Sequence, residues 1–230
     1  MGTVVKALVG RKVGMTQVFT EGGEALAVTV IRAGPCTVVE QRTPERNGYS
    51  GVQVAFEPIQ EPRLTKPERG HLAKAGVAPH RVLREFRFAD PAALTPGATL
   101  TVEQFAVGDR VSVAGTSKGR GFTGTIKRFN QHRGRMTHGS MSHRRPASTG
   151  ATTPNRVWRG THKPGPMGNE RVTTRRLEVV GVRPAEHVLL LRGAVAGPNG
   201  GLVLVTQPTP PKDRRKSVRV VDLPKETRRA

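Results

Sequence analysis

Cysteine is nearly absent: Cys36 stands alone in 230 residues, which excludes an intrachain disulfide framework. A single free cysteine of this kind reads as a small buried hydrophobe. No run approaches the roughly eighteen apolar residues of a spanning helix. The start, Met1 to Gly10, has neither the basic lead and long apolar stretch of a signal peptide nor the Arg/Ser-rich amphipathicity of a transit peptide, so neither is expected. The most telling absence is local. Between Thr116 and Arg176 there is no Leu and one acid, Glu170, and no Asp or Glu at all lies between Asp109 and Glu170.

What fills that span is positive charge. Fourteen Lys and Arg lie between Thr116 and Arg176, so about +13 of the whole-chain +21 sits there. Residues 1–115 hold fourteen bases and eleven acids, residues 177–211 two of each, and residues 212–230 eight and three. The charge belongs to one insertion and one tail, and the flanks are near-neutral globular material. With a sequence pI of 11.6, nucleic acid or an anionic membrane is the natural partner. The membrane reading is the weaker, because the basic segment lacks the Leu, Phe or Trp stripe of an interfacial helix.

The flanks read as β. Short runs rich in β-branched residues at Val4–Val9, Gln17–Phe19, Ala25–Ile31, Thr37–Gln41 and Val52–Phe56 are punctuated by turn signals at Glu21–Glu24, Gly34-Pro35 and Asn47-Gly48. Five such runs in under sixty residues suggest a barrel or sandwich. Further strands are expected at Val82–Phe88, Thr99–Phe105, Arg110–Ala114, Arg171–Val182, Val188–Arg192 and Leu202–Thr206, with Val188–Leu191 buried on both faces. Lys66–Ala75 is the one helix candidate, with Pro67 early and Gly76 just past its end. The expected organisation is a body of residues 1–115 and 169–207, with a smaller α+β lobe within it at 57–98. A basic extension occupies 116–168 and a basic, flexible tail 208–230.

Several motifs carry more than one reading. Gly119-Arg-Gly-Phe-Thr-Gly124 has the letters of a dinucleotide fingerprint, but that chemistry needs a helix packed on a parallel sheet and an acid about twenty residues on, and no acid follows until Glu170. Glycines flanked by Lys118, Arg120, Lys127 and Arg128 instead let a backbone approach phosphates closely; the plain alternative is a Gly-rich hairpin with solvated charges. His132, His138, His143 and His162 make a poor zinc set, lacking Cys and finger spacing. Interleaved with arginines, they suit stacking and hydrogen bonding to RNA. Trp158 suits base stacking or, equally, packing against the body. No carboxylate is at hand to orient a histidine, so no enzyme, cofactor or small-molecule substrate is expected.

This points to a nucleic-acid-binding protein that orders on its target. Fixing about forty loop residues costs on the order of 40–80 kcal/mol of backbone entropy, which counterion release and directed hydrogen bonds must offset. Lys118, Arg120, Lys127 and Arg128 are the candidates for holding phosphates at the root. Arg133, Arg135, His138, His143, Arg144, Arg145, Arg156, Arg159 and Lys163 are the candidates for lining the intrusion, and Gly119, Gly121 and Gly124 for close approach. The rival class is a DNA-architectural protein with a basic arm.

Phe105 followed by Gly115-Thr-Ser-Lys-Gly-Arg-Gly-Phe-Thr-Gly-Thr-Ile-Lys-Arg128 resembles the signature of the universal L3 family of large-subunit ribosomal proteins. Gly10–Thr16, Lys66–Gly76, Ser142–Pro146, Met167–Thr173 and Leu189–Ala194 look like further family segments in family order, bacterial in type. The resemblance implies a translation-protein-type β-barrel seated on the large subunit in the cytoplasm. It also implies that the body binds large-subunit rRNA early in assembly, that the loop reaches towards the peptidyl transferase centre, and that neighbouring ribosomal proteins touch the body. Ser112 stands where the family signature usually has Asp or Asn. The tip, Thr149–Asn155, lacks the glutamine methylated in some bacterial members, and the tail from Pro208 has no counterpart.

Overall fold

The computed structural model describes residues 4–88, 94–146, 148–153 and 155–208. The expected tail therefore lies, beyond Pro208, outside the described residues. In chain order the elements are β1 (Val4–Phe19), β2 (Ala25–Ala33), β3 (Cys36–Arg42), α1 (Pro44–Asn47), β4 (Gly51–Pro58), α2 (Lys66–Lys74), β5 (His80–Phe86) and β6 (Thr99–Leu100). There follow β7 (Arg110–Thr116), β8 (Phe122–Thr123), α3 (Thr125–Phe129), β9 (Gly165–Pro166), β10 (Arg171–Arg183), β11 (Val188–Arg192) and β12 (Leu202–Pro208).

Six strands close into an antiparallel barrel in the order β1-β12-β7-β10-β11-β2. Closure leaves no unpaired edge, which is how an all-β body avoids pairing with other chains. Alternation places Leu8, Ile31, Val111, Val113, Val179, Leu189, Leu191 and Val205 in a fully buried interior. Each such side chain contributes about 1.5–3 kcal/mol by leaving water. The expectation that Val188–Leu191 would be buried on both faces needs correction. Leu189 and Leu191 are buried while Val188 and Leu190 are half-buried, because Leu190 faces outward over Gly181, whose missing side chain gives it a partial seat.

The two runs expected at Val4–Val9 and Gln17–Phe19 are one strand of 16 residues. Gly10 is required there by contact: an added Cβ would lie 2.6 Å from the Arg32 carbonyl oxygen on β2. The ladder between β1 and β2 shifts register at Lys12/Gly14, a bulge that lets the long strand bend around the barrel.

A second antiparallel sheet runs in the order β5-β4-β3-β6. The sequence grouped Thr37–Gln41 and Val52–Phe56 with the barrel strands, yet β3 and β4 build this separate sheet. Its two faces have different partners. Val38, Val54 and Phe56 point into the barrel's core cluster, while Val39 and Ala55 meet Leu72 of α2 and Val77. The α2 start is fixed by Glu68, whose carboxylate accepts from the Thr65 backbone N–H at 3.1 Å and its hydroxyl at 2.8 Å. The expected strand Thr99–Phe105 resolves into the two-residue β6 and a 3-10 turn at Val102–Gln104.

Polar ties reinforce the seam between sheets. The Arg11 guanidinium on β1 donates to both Glu57 carboxylate oxygens at 3.1 and 2.7 Å, a fork geometry that holds the Glu57 carboxyl below its ordinary range. Asp109, at the turn into β7, accepts from the Ala106 N–H and from Lys6 Nζ, each at 3.0 Å. These bonds, the Ala106 one foremost, hold its carboxyl below the usual value.

Leu191→Ala leaves a cavity at the barrel centre and is expected to cost about 2–5 kcal/mol in urea denaturation. Asp109 supplies a pH signature. Because its folded pKa lies below the unfolded one, its contribution is complete above about pH 4 and is lost as the pH falls through the folded value. Thermal melts from pH 7 to pH 3 should show Asp109→Asn with a shallower acid decline than wild type.

Candidate RNA-binding surface

The charged excursion leaves the barrel at the end of β7 and returns at the start of β10, which pair as neighbours with Thr116 opposite Arg171. Hydrogen bonds carry that ladder outward: Ser117 N–H donates to Glu170 O at 2.9 Å, Arg120 N–H to Met167 O at 2.8 Å and Met167 N–H to Gly121 O at 3.0 Å. The pair β8 and β9 closes the neck, Phe122 opposite Pro166. Beyond it, among the described residues, no regular element follows α3 until β9. Among those residues, too, no buried hydrophobic side chain lies between Ala114 and Val179.

The barrel braces this neck from beside. Lys12 is buried, and its Nζ donates to the Val195 and Gly197 carbonyls at 2.8 and 3.2 Å, the hydrogen bonding a buried cation requires. That loop lies against the exit point. A Cβ at Gly115 would lie 2.7 Å from Ala196 O, and one at Gly197 would lie 2.7 Å from Thr116 O.

The expected site residues fall into two groups. Arg128, His143 and Lys163 are half-buried, and two of these work inside the extension. Arg128 Nη1 donates to Lys163 O at 3.0 Å and its guanidinium lies 5.0 Å from the Phe129 ring centroid. Phe129 stacks on His162 at 4.1 Å and 7°. His143 Nδ1 lies 2.9 Å from Arg135 O, and the His143 carbonyl accepts from Gly134 N–H at 2.9 Å. Arg128 and His143 therefore shape the loop from within, a role that the sequence, showing charge but not partners, did not separate from contact with a ligand.

Lys118, Arg120, Lys127, Arg133, Arg135, His138, Arg144, Arg145, Arg156 and Arg159 are exposed. Arg156 lies 5.9 Å from the Trp158 ring centroid; the others, with the Lys163 ammonium, form no ion pair or side-chain hydrogen bond among the described residues. Trp158 is 62% exposed, which sets aside the reading of it as a packing residue against the body. Of the glycines, Gly121 turns at φ +65°, while Gly124 has open space where a side chain would stand. Nothing among the described residues demands a glycine at 124.

The fingerprint letters at Gly119–Gly124 are followed by a helix after all, the five-residue α3. It packs on no parallel sheet, since every strand pair among the described residues is antiparallel, so the dinucleotide reading finds no support in the topology. Among the described residues no three metal-binding side chains gather, and no helix is long and apolar enough to cross a membrane.

Sequence reasoning did not single out Arg171, Arg175 and Arg176, all exposed on β10. The ladder with β7 shifts between Thr174 and Leu177, and Arg176 takes φ +59°. A bulge there re-aims two adjacent arginines from the barrel wall. The signal in the sequence was Thr-Arg-Arg-Leu, a doubled charge that breaks the strand's alternation.

A closed barrel that holds out an acid-free cationic loop has the build of a nucleic-acid-binding protein. The family model described as ribosomal protein L3 matches residues 63–187. The large ribosomal subunit protein uL3 of Heliobacterium modesticaldum is 51% identical over 200 residues, covering 87% of this chain and 95% of that protein. Its counterparts in Pelotomaculum thermopropionicum and Acetivibrio thermocellus are each 52% identical over 202 residues, covering 88% and 87% of this chain and 96% and 95% of theirs. The chain belongs to the ribosomal protein L3 family, in its bacterial form.

Gly168 gives a direct check on the neck. It sits at φ +77° and an added Cβ would overlap the Lys118 carbonyl. Gly168→Ala should strain the neck by about 1–3 kcal/mol and speed limited proteolysis between residues 117 and 168, with the barrel fragment persisting. Gly124→Ala, in open space, should leave the cleavage rate unchanged.

Proposed function

We propose that this protein binds large-subunit rRNA through residues 116–168 while the barrel and its companion sheet dock the body. As a member of the ribosomal protein L3 family it is a structural constituent of the large ribosomal subunit, not an enzyme. The observation that carries the RNA reading is the set of exposed cations without protein partners on a loop lacking carboxylates. Such a loop repels itself and gains its ordering free energy from phosphates.

The roles divide by position. Lys118, Arg120 and Lys127 hold phosphates at the neck, with Arg128 also bracing the loop. Arg133, Arg135, His138, Arg144, Arg145, Arg156, Arg159 and Lys163 line the intrusion, and His143 contributes chiefly by setting the turn that presents Arg144 and Arg145. Gly119, Gly121 and Gly124 keep the backbone open to close approach. In this proposal the body binds early in subunit assembly, the loop reaches towards the peptidyl transferase centre, and neighbouring ribosomal proteins touch the body in the bacterial cytoplasm.

Binding to large-subunit rRNA and to duplex DNA of equal length, measured across a salt series, tests the reading. Neutralising about eight phosphates gives a slope of log K against log salt of about −6 to −7. Preference for the rRNA should survive at high salt, and equal affinities that collapse together would favour a DNA-architectural arm instead. Arg144→Glu with Arg145→Glu should leave the barrel folded and block incorporation into mature subunits; normal incorporation would count against the loop.

A further inference from the structure

The extension is not a simple finger. Between α3, the stretches 131–146 and 148–149 and the return stretch 160–163 it encloses an open cleft of about 800 Å³. Cations stand around it, Arg133, Arg145 and Lys163, along with His132 and His162 and the apolar Ile126. None of the three cationic heads, nor the His132 ring, has an ion pair or side-chain hydrogen bond among the described residues. Part of the lining is stiffened: His162 is held by its stack on Phe129, and Arg128 ties α3 to the Lys163 carbonyl.

We propose that this cleft receives a single unpaired nucleotide of the rRNA, its phosphates against Arg133, Arg145 and Lys163 and its base stacked on His132. This rests on the RNA-binding reading above and goes beyond it by naming what the loop recognises. Size argues for one nucleotide. A cleft within the range of small-molecule sites, about 300–1,000 Å³, has room for one nucleotide and not for a stretch of paired strands. Composition argues for a nucleotide over a bare phosphate, since Ile126 and two imidazoles offer apolar and π surface that an inorganic anion does not use. Protein recognition of unstacked RNA bases combines these same elements, a flat side chain for the base and cations for the backbone.

The test uses the full chain bound to large-subunit rRNA, with two chemical probes read in parallel. Hydroxyl radicals map the backbone footprint and a base-specific reagent maps accessible unpaired bases. Wild type should protect at least one unpaired base inside the footprint. His132→Ala should expose that base and weaken binding by about five- to a hundredfold while keeping the footprint, and His132→Phe, which restores a stacking plane, should restore protection. A footprint without a protected unpaired base, or protection indifferent to His132→Ala, overturns the cleft proposal and leaves the RNA-binding reading standing. Absence of any footprint overturns both.

Discussion

The pairing of β7 with β10 is the constraint on which the rest depends. The two strands are separated in sequence by the whole cationic excursion, yet they lie side by side with Thr116 opposite Arg171. That register returns the chain to the same point of the barrel wall, so the excursion adds length outside the core without opening the barrel. It also sets where the charge emerges. The hydrogen bonds from Ser117 to Glu170 and from Arg120 to Met167 are outward continuations of the same ladder, and Lys12 fixes the loop that lies against its exit.

Two kinds of chemistry are thereby kept apart. The barrel and its companion sheet form one core because β3 and β4 send one side-chain face to the barrel and the other to α2. The extension has almost no buried apolar surface and relies on a few local fasteners: the Phe129–His162 stack, the Arg128 bond to Lys163 and the His143 bonds across its turn. Packing thus resides in the body and unpaired charge in the loop, so substitutions in one need not disturb the other.

Much of this was legible in the chain. Alternating β-branched residues marked most strands, and Lys66, Pro67 and Gly76 framed the helix that the structure places at Lys66–Lys74, since these signals depend on local preference. The asymmetry of charge marked the extension. What escaped depends on contacts distant in sequence. Val4–Val9 and Gln17–Phe19 read as separate runs, but β1 continues through Gly10, where the close approach of β2 calls for a glycine. The allocation of β3 and β4 to a separate sheet follows from their partners β5 and β6 rather than from composition. Arg128 and His143 could not be told from their neighbours by type, because only the fold shows that one meets Lys163 and the other Arg135. The bulge at Arg175 and Arg176 was visible only as a lapse in alternation.

The way the extension is tethered has a mechanical consequence. Both of its ends continue into strands that run through the barrel wall, β7 bonded on its far side to β12 and β10 to β11. A pull on the tip draws the two strands together along their own axes, so load falls on both outer ladders in shear, with many hydrogen bonds resisting at once. A loop hung between strands at opposite ends of the sheet would instead peel its bonds one by one. The barrel is therefore a fixed post for its own loop, and a load at the tip is shared between two ladders instead of being carried by one.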